Sequence, residues 1–331
     1  MKTLCKAVCL GTLVAMSSGC VMQSQIVSPR LAKQPPIAPA SPRVVAQDVD
    51  IGAAQGSENT SGMDGFKVVT WNTEHFAYPS NAGCKPRTSE DIAAIKAYIA
   101  GLGASVIALQ EVASREALRL VFPESDWTLV LSARADSPAY ECRESGFTST
   151  QQKVAFAIKK GISILQVQQN AQLGLQKIGL RFGLAVTVDT PLGPTDILNV
   201  HLKSGCFVDD YATSDKAACQ TLAQQVPVLE EWLAAHQTLG VPYMVLGDFN
   251  HRLASENNYL ASRLTSDEYG IDIATQALRG CHPRYPEPID HILLGGMQST
   301  LIAASAHVHR YKNMDEEAML SDHCAVSLFL K

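Results

Sequence analysis

The sequence predicts an α/β domain in which two mixed sheets carry their helices on the outside. Short apolar, β-branched runs alternate with helical periodicity from Phe66 onward. Some of these runs follow helices and others follow tight turns, so parallel and antiparallel pairs should mix. No internal repeat or second linker interrupts the series, and 46% hydrophobic with 18% charged residues over 331 positions supports a large core.

The N-terminus is set apart by composition. Lys2 and Lys6 precede a mainly small or apolar stretch, Ala7 to Met16, and Ser17-Ser18-Gly19 leads directly into Cys20. This is the pattern of a secretory signal over residues 1–19, too short to span a bilayer as a helix. The Cys after small residues resembles a bacterial lipoprotein signal, which implies lipidation of Cys20 and a membrane partner through that anchor. Ser17 stands where Leu is usual. Val21, in place of an Asp, resembles outer-membrane sorting in a cell with two membranes. Residues 20–64 then read as a tether: five Pro lie between Pro29 and Pro42, and Gly, Ser, Asn and Gln dominate the second half. Such a segment cannot bury enough apolar surface to offset its ordering entropy.

The domain, residues 65–331, follows. Phe66–Trp71 reads as a strand, and Ser89 as the cap of a helix with Ile92, Ile95, Ile99 and Leu102 on one face, ended by Gly101 and Gly103. Ser105–Leu109 is a buried strand and Ser114–Val121 a short helix. Strands are expected at Trp127–Leu131, Val154–Ile158, Ile162–Gln168, Leu180–Val188 and Ile197–Leu202. A long helix over Lys216–His236 meets Pro227, a candidate kink. Strands follow at Tyr243–Leu246, Ile289–Leu294, Leu301–His309 and Cys324–Leu330.

Charge and cysteines narrow the class. Without residues 1–19 the chain has 25 basic and 32 acidic residues, a net −7, which gives no general attraction to nucleic acid or anionic lipid. A local basic strip is compatible with that balance. Cys84, Cys142, Cys206, Cys219, Cys281 and Cys324 remain in the domain, an even number that favours disulfides after export. The short loop favours Cys206–Cys219, with Cys84–Cys142 next. Cys324 lies in an apolar run and suits a buried free thiol equally. Absence of a C-x-x-C pair argues against zinc.

Polar groups collect where strands end. Lys67–Trp71 runs into Asn72, Val106–Leu109 into Gln110-Glu111, Ile197–Val200 into His201, and Tyr243–Gly247 into Asp248-Phe249-Asn250. Asp290-His291 and Ser321-Asp322-His323 open two further strands. In antiparallel neighbours the start of one strand lies beside the end of the next, so all six can share a rim. Singly, each has a bland reading: a solvated loop Glu, a satisfied structural His, an Asx turn. Their joint occurrence, each at an apolar strand boundary, is what points to chemistry.

Thr70-Trp71-Asn72, Leu109-Gln110-Glu111, Asn199-Val200-His201-Leu202-Lys203-Ser204, Leu246-Gly247-Asp248-Phe249-Asn250, Ile289-Asp290-His291 and Ser321-Asp322-His323 resemble, in order, the motifs of the endonuclease/exonuclease/phosphatase superfamily. The resemblance covers Phe66 to Lys331 and implies the deoxyribonuclease I-like α/β fold, a four-layer α-β-β-α sandwich. It implies that Glu111 is the main ligand of Mg²⁺ or Mn²⁺, with Asn72 close and Asp322 near or in the shell, one or two ions being left open. It implies that Asp248, oriented with Asn250, positions or deprotonates water. His201 would bond a phosphate oxygen or protonate the leaving group, and His323, held by Asp290, would contact the scissile phosphate. Lys203, two residues after His201, is a candidate phosphate contact if the strand continues. Gln152, before the Val154 strand, is a candidate brace for His201.

Substrate is less defined. His-Leu-Lys-Ser resembles exported bacterial nucleases of the superfamily, which makes DNA the expected substrate. Tyr140, Arg143, Arg252, Arg263, Arg279 and Arg284 are candidate contacts, each more readily read singly as an ordinary surface residue. The alternative is a phosphodiesterase or phosphatase of lipid head groups or small phosphate esters. A 6% aromatic content and the lack of an apolar docking loop weigh against a sphingomyelinase-like member. A non-catalytic binding lipoprotein on the same fold would predict decayed rim residues, and none is decayed. No obligate protein partner is expected.

Overall fold

The computed structural model describes residues 65–142, 146–149 and 152–330. The signal, Cys20, the tether and Arg143 lie outside these. Strand β1 (Phe66–Phe76) leads to α1 (Ser89–Leu102), β2 (Val106–Val112), α2 (Arg115–Arg119) and β3 (Trp127–Leu131). A small hairpin, β4 (Tyr140–Glu141) with β5 (Thr148–Ser149), precedes β6 (Lys153–Lys159), β7 (Ile164–Asn170), β8 (Gly183–Thr190) and β9 (Gly193–His201). Then come α3 (Ala217–Leu239), β10 (Tyr243–Asp248), α4 (Tyr259–Leu264), β11 (Ile271–Ile273) and β12 (Asp290–Gly295). The chain closes with α5 (Ser299–Ala303), β13 (His307–His309) and β14 (Ala325–Leu330).

Two six-stranded sheets result, in the orders β13-β14-β1-β2-β6-β3 and β11-β12-β10-β9-β8-β7. Among the described residues only β1/β2 and β9/β10 are parallel, one central pair in each sheet; the rest are antiparallel. Inner faces interlock through Val68, Val106 and Phe156 of the first sheet with Val186, Met244 and Ile292 of the second. The outer face of the first sheet packs on Ile95, Ile99 and Leu102 of α1, and that of the second on Leu222, Val226 and Leu229 of α3. The four-layer sandwich is therefore present. Among the described residues no helix is long and apolar enough to cross a membrane.

Local chemistry explains the departures. Helix α1 is capped by Thr88 rather than Ser89, through a capping box with Asp91. Helix α3 continues through Pro227 over 23 residues, with Leu222, Val226, Leu229 and Leu233 buried around the missing donor. The strand expected at Leu301–His309 is replaced by α5 and the short β13. Ile302 seats in the inter-sheet core, and Ser305 Oγ donates to the Ile302 carbonyl (2.6 Å) to close the turn between them. The strand expected from Leu180 starts at Gly183, because a turn from Lys177 to Leu180 precedes it. Disulfides join Cys84–Cys142 and Cys206–Cys219, as expected, and also Cys281–Cys324, so Cys324 is bridged rather than free.

Candidate active site

The two parallel pairs bring the motifs together. In β1/β2 Asn72 sits opposite Gln110; in β10 Asp248 lies between His201 of β9 and Asp290 of β12. The sheets face each other, so the ends of both pairs form one rim. A register shift between Asn72 and Phe76 bulges β1, with Glu74 and His75 at positive φ (47° and 56°), facing Glu111, itself at φ 60°. Bulges at a rim re-aim side chains. Arg87 buttresses this one by donating to the carbonyls of Thr73 (3.0 Å) and Glu74 (2.9 Å).

Asp248 is the hub. Its carboxylate accepts from Asn72 Nδ2 (2.9 Å), the Asn250 backbone (2.7 Å) and Asn250 Nδ2 (3.0 Å). His201 Nε2 stands 3.3 Å and His323 Nε2 4.0 Å from Asp248 Oδ2. His323 Nδ1 lies 2.7 Å from Asp290 Oδ2. Glu111 sits between imidazoles, 3.8 Å from His201 Nε2 and 3.7 Å from His75 Nε2, and accepts from the His75 backbone (3.0 Å). Asp322 is half-exposed, 3.8 Å from His323 Nε2. All eight expected catalytic and metal residues thus meet on the rim.

The environment separates the two histidines. Burial, with the charges of Arg181, His323 and His75, holds His201 well below its ordinary pKa. Burial opposes charge on His323 too, but Asp290, Asp322 and Asp248 outweigh it and hold that imidazole well above. Burial, aided by Asp290 and opposed by His323, pushes the Asp248 carboxyl up to about 7. A neutral imidazole, an imidazolium and a carboxyl poised near neutrality are therefore side by side, the usual division of acid and base labour.

Two expectations change. Gln152 Nε2 lies 3.4 Å from His75 Nε2 and does not meet His201, because the β1 bulge places His75 in between; His201 Nδ1 has no partner among the described residues. Lys203 does not share a strand face with His201, since β9 ends there; its Nζ donates to the Ser204 carbonyl (2.7 Å). Three residues escaped the sequence reading. Glu74 and His75 depend on the bulge, which no local pattern announces. Arg181, 6% exposed, donates to the Leu202 carbonyl (2.7 Å) and keeps a buried Nε without a partner among the described residues, within electrostatic reach of Glu111 and Asp248. Its only sequence signal is a lone Arg before an apolar strand.

The donor chemistry fits a hard divalent cation. Asp248 and Asp290 bring carboxylate oxygens within 4.8 Å of each other and of His323, and the carboxylates of Glu111 and Asp322 stand on the same rim. Burial and the charge of Asp322 push the Glu74 carboxyl up, with Lys85 (2.5 Å) opposing. Acids crowded in this way are relieved by a cation. Asn72 is partly committed, since its Oδ1 accepts from the Glu74 backbone (3.0 Å).

Comparison with known proteins agrees with this architecture. The model of the Endonuclease/Exonuclease/phosphatase family matches residues 69–323. The human Nocturnin catalytic domain superposes with a TM-score of 0.56 at 14% identity, covering 80% of this chain and 92% of that one. A humanized D. rerio TDP2 gives 0.56 at 12% identity, covering 80% and 97%. The 3′ phosphatase NExo from Neisseria, bound to a product DNA hairpin, gives 0.52 at 16% identity, covering 80% and 99%. At these identities the neighbours establish the fold. No curated protein matches significantly in sequence. With most of the domain matched and every motif on one rim, the chain belongs to the endonuclease/exonuclease/phosphatase family.

Proposed function

We propose that this chain is a divalent-metal-dependent phosphodiester hydrolase that acts on nucleic acid, DNA in the first place, outside the cytoplasm. The observation that carries the chemistry is Asp248 held between His201 Nε2 (3.3 Å) and His323 Nε2 (4.0 Å), with Asp290 behind His323 (2.7 Å). A phosphodiester is anionic and resists attack by hydroxide, so it needs positive charge on its oxygens and a directed nucleophile. Asp248, fixed by Asn72 and Asn250, orients the attacking water and takes its proton. His323, kept protonated by Asp290, bonds a non-bridging oxygen. His201, neutral and buried, donates a hydrogen bond from Nε2–H to an oxygen of the same phosphate and keeps its proton. Glu111, with Asn72 and Asp322, would hold Mg²⁺ or Mn²⁺, which when bound would neutralise charge on the phosphate and the leaving oxygen.

Family membership supports phosphoester hydrolysis, and a DNA-bound neighbour supports the choice of DNA. The signal and Cys20 support export and an envelope anchor. Full-length chain in detergent is incubated with Mg²⁺ and supercoiled plasmid, single-stranded DNA, RNA or bis-p-nitrophenyl phosphate, with Asp248→Ala as the blank. Nicking by wild type, abolished by Asp248→Ala and by EDTA and restored by Mg²⁺ or Mn²⁺, is the expected result. Turnover of the small diester without any nucleic acid moves the substrate to lipid head groups or small esters; activity that survives EDTA removes the metal from the mechanism.

A further inference from the structure

Among the described residues, those considered as nucleic-acid contacts separate in space. Arg263 is committed to Glu230 in a two-pronged pair (Nε–Oε1 2.7 Å, Nη2–Oε2 2.5 Å) between α4 and α3, in the outer helical layer. Tyr140 stands on β4, at the flank of Arg134 and Arg181. Arg252 and Arg279 line a single groove of about 310 Å³ with Leu278, Pro286, Glu287 and Pro288. That volume is at the small end of ligand sites. One wall follows β10, with Arg252 two residues beyond Asn250; the other leads into β12, with Pro288 two residues before Asp290. The groove therefore adjoins the catalytic rim.

Its chemistry runs against the acidic balance of the chain. Arg252 Nε pairs with Glu287 Oε2 at 2.7 Å. Arg279 is exposed and makes no ion pair among the described residues, leaving one uncompensated positive charge over a floor of Leu278, Pro286 and Pro288. On the same loop Tyr285 is 61% exposed, its ring 4.9 Å from that of His282. The loop is held in place: Gly280 N donates to the Pro286 carbonyl (2.8 Å), Arg284 pairs with Glu316 (2.5 Å), and Cys281 is bridged to Cys324 beside His323. An exposed ring and a free guanidinium on a braced loop answer to a planar base and a phosphate.

We propose that this groove binds the nucleotide unit next to the scissile phosphodiester, Arg279 holding the neighbouring phosphate and Tyr285 stacking on a base. The inference rests on the nucleic-acid reading above and deepens it, since neither a small diester nor a lipid head group has the second phosphate and base that the groove would recognise.

The test compares kcat/KM on a single-stranded oligonucleotide with kcat/KM on bis-p-nitrophenyl phosphate, using the full chain and the variants Arg279→Ala, Tyr285→Ala and Tyr285→Phe. Arg279→Ala should lower the ratio of the two about tenfold, mainly through KM for the oligonucleotide, and reduce the slope of log affinity against log salt by about one. Tyr285→Ala should lower the ratio about fivefold or more, and Tyr285→Phe, which keeps the ring, should restore it. A ratio within twofold of wild type for both alanine variants overturns the subsite while leaving the nuclease reading standing. Wild-type protein that turns over the small diester but no oligonucleotide overturns the substrate reading and the subsite together.

Discussion

Replacing Asn199 by Leu removes a tie between the two sheets without opening a cavity. Asn199 belongs to β9 of the second sheet and is fully buried. Its Nδ2 donates to the carbonyls of Leu109 (3.0 Å) and Ala155 (2.9 Å) in the first sheet, and its Oδ1 accepts from Gln110 Nε2 (2.7 Å). Leu has the same branched shape and number of side-chain heavy atoms, with bulkier methyls, so no cavity opens and the main cost is polar: three hydrogen bonds vanish and their partners stay buried. At roughly 1–3 kcal/mol per orphaned group, and allowing that Gln110 keeps its bond to Thr70, the loss should be about 3–6 kcal/mol. That is a large share of a stability of about 5–15 kcal/mol. Urea unfolding of wild type and Asn199→Leu, followed by circular dichroism with linear extrapolation, measures it. A loss below about 1 kcal/mol refutes the inter-sheet tie. A large fall in kcat with unchanged stability would show instead that Asn199 belongs to the chemistry.

Two other perturbations follow from the same geometry. Cys281→Ser with Cys324→Ser opens a loop of 43 residues, for which chain entropy predicts a loss of about 4 kcal/mol. The bridge ends beside His323, so kcat should also fall at least ~10-fold, and much less in the Cys206→Ser/Cys219→Ser control; equal effects in steady-state assays would remove the positioning role. Acid should destabilise the fold through His291, whose pKa burial lowers to about 4 while Thr275 Oγ1 (3.0 Å) meets its Nδ1. The unfolded chain binds this proton first, so the contribution is complete above about pH 6.5 and is lost as pH falls through 4, by about 3 kcal/mol. His291→Gln should flatten the stability–pH curve in that window; an unchanged curve counts against it.

The polar rim was legible in the sequence because each of its residues terminates or opens an apolar run, and strand ends on neighbouring strands are brought together by any sheet. Asn72, Glu111, His201, Asp248, Asn250, Asp290, Asp322 and His323 needed only the correct strand list. The same logic failed at Lys203, which lies past the end of β9, and at Leu301–His309, where burial of Ile302 selected a helical turn over a strand.

Sequence by itself therefore determined the layered architecture and the composition of the site, since periodicity and strand-end chemistry are local properties of the chain. Tertiary structure alone decided how the site is tuned. The β1 bulge that brings in Glu74 and His75, the burial of Arg181, the opposite pKa displacements of His201 and His323, and the bridge from Cys281 to Cys324 all arise from groups distant in sequence. Their energies depend on desolvation and on through-space charge, and neither exists until the two sheets have closed on each other.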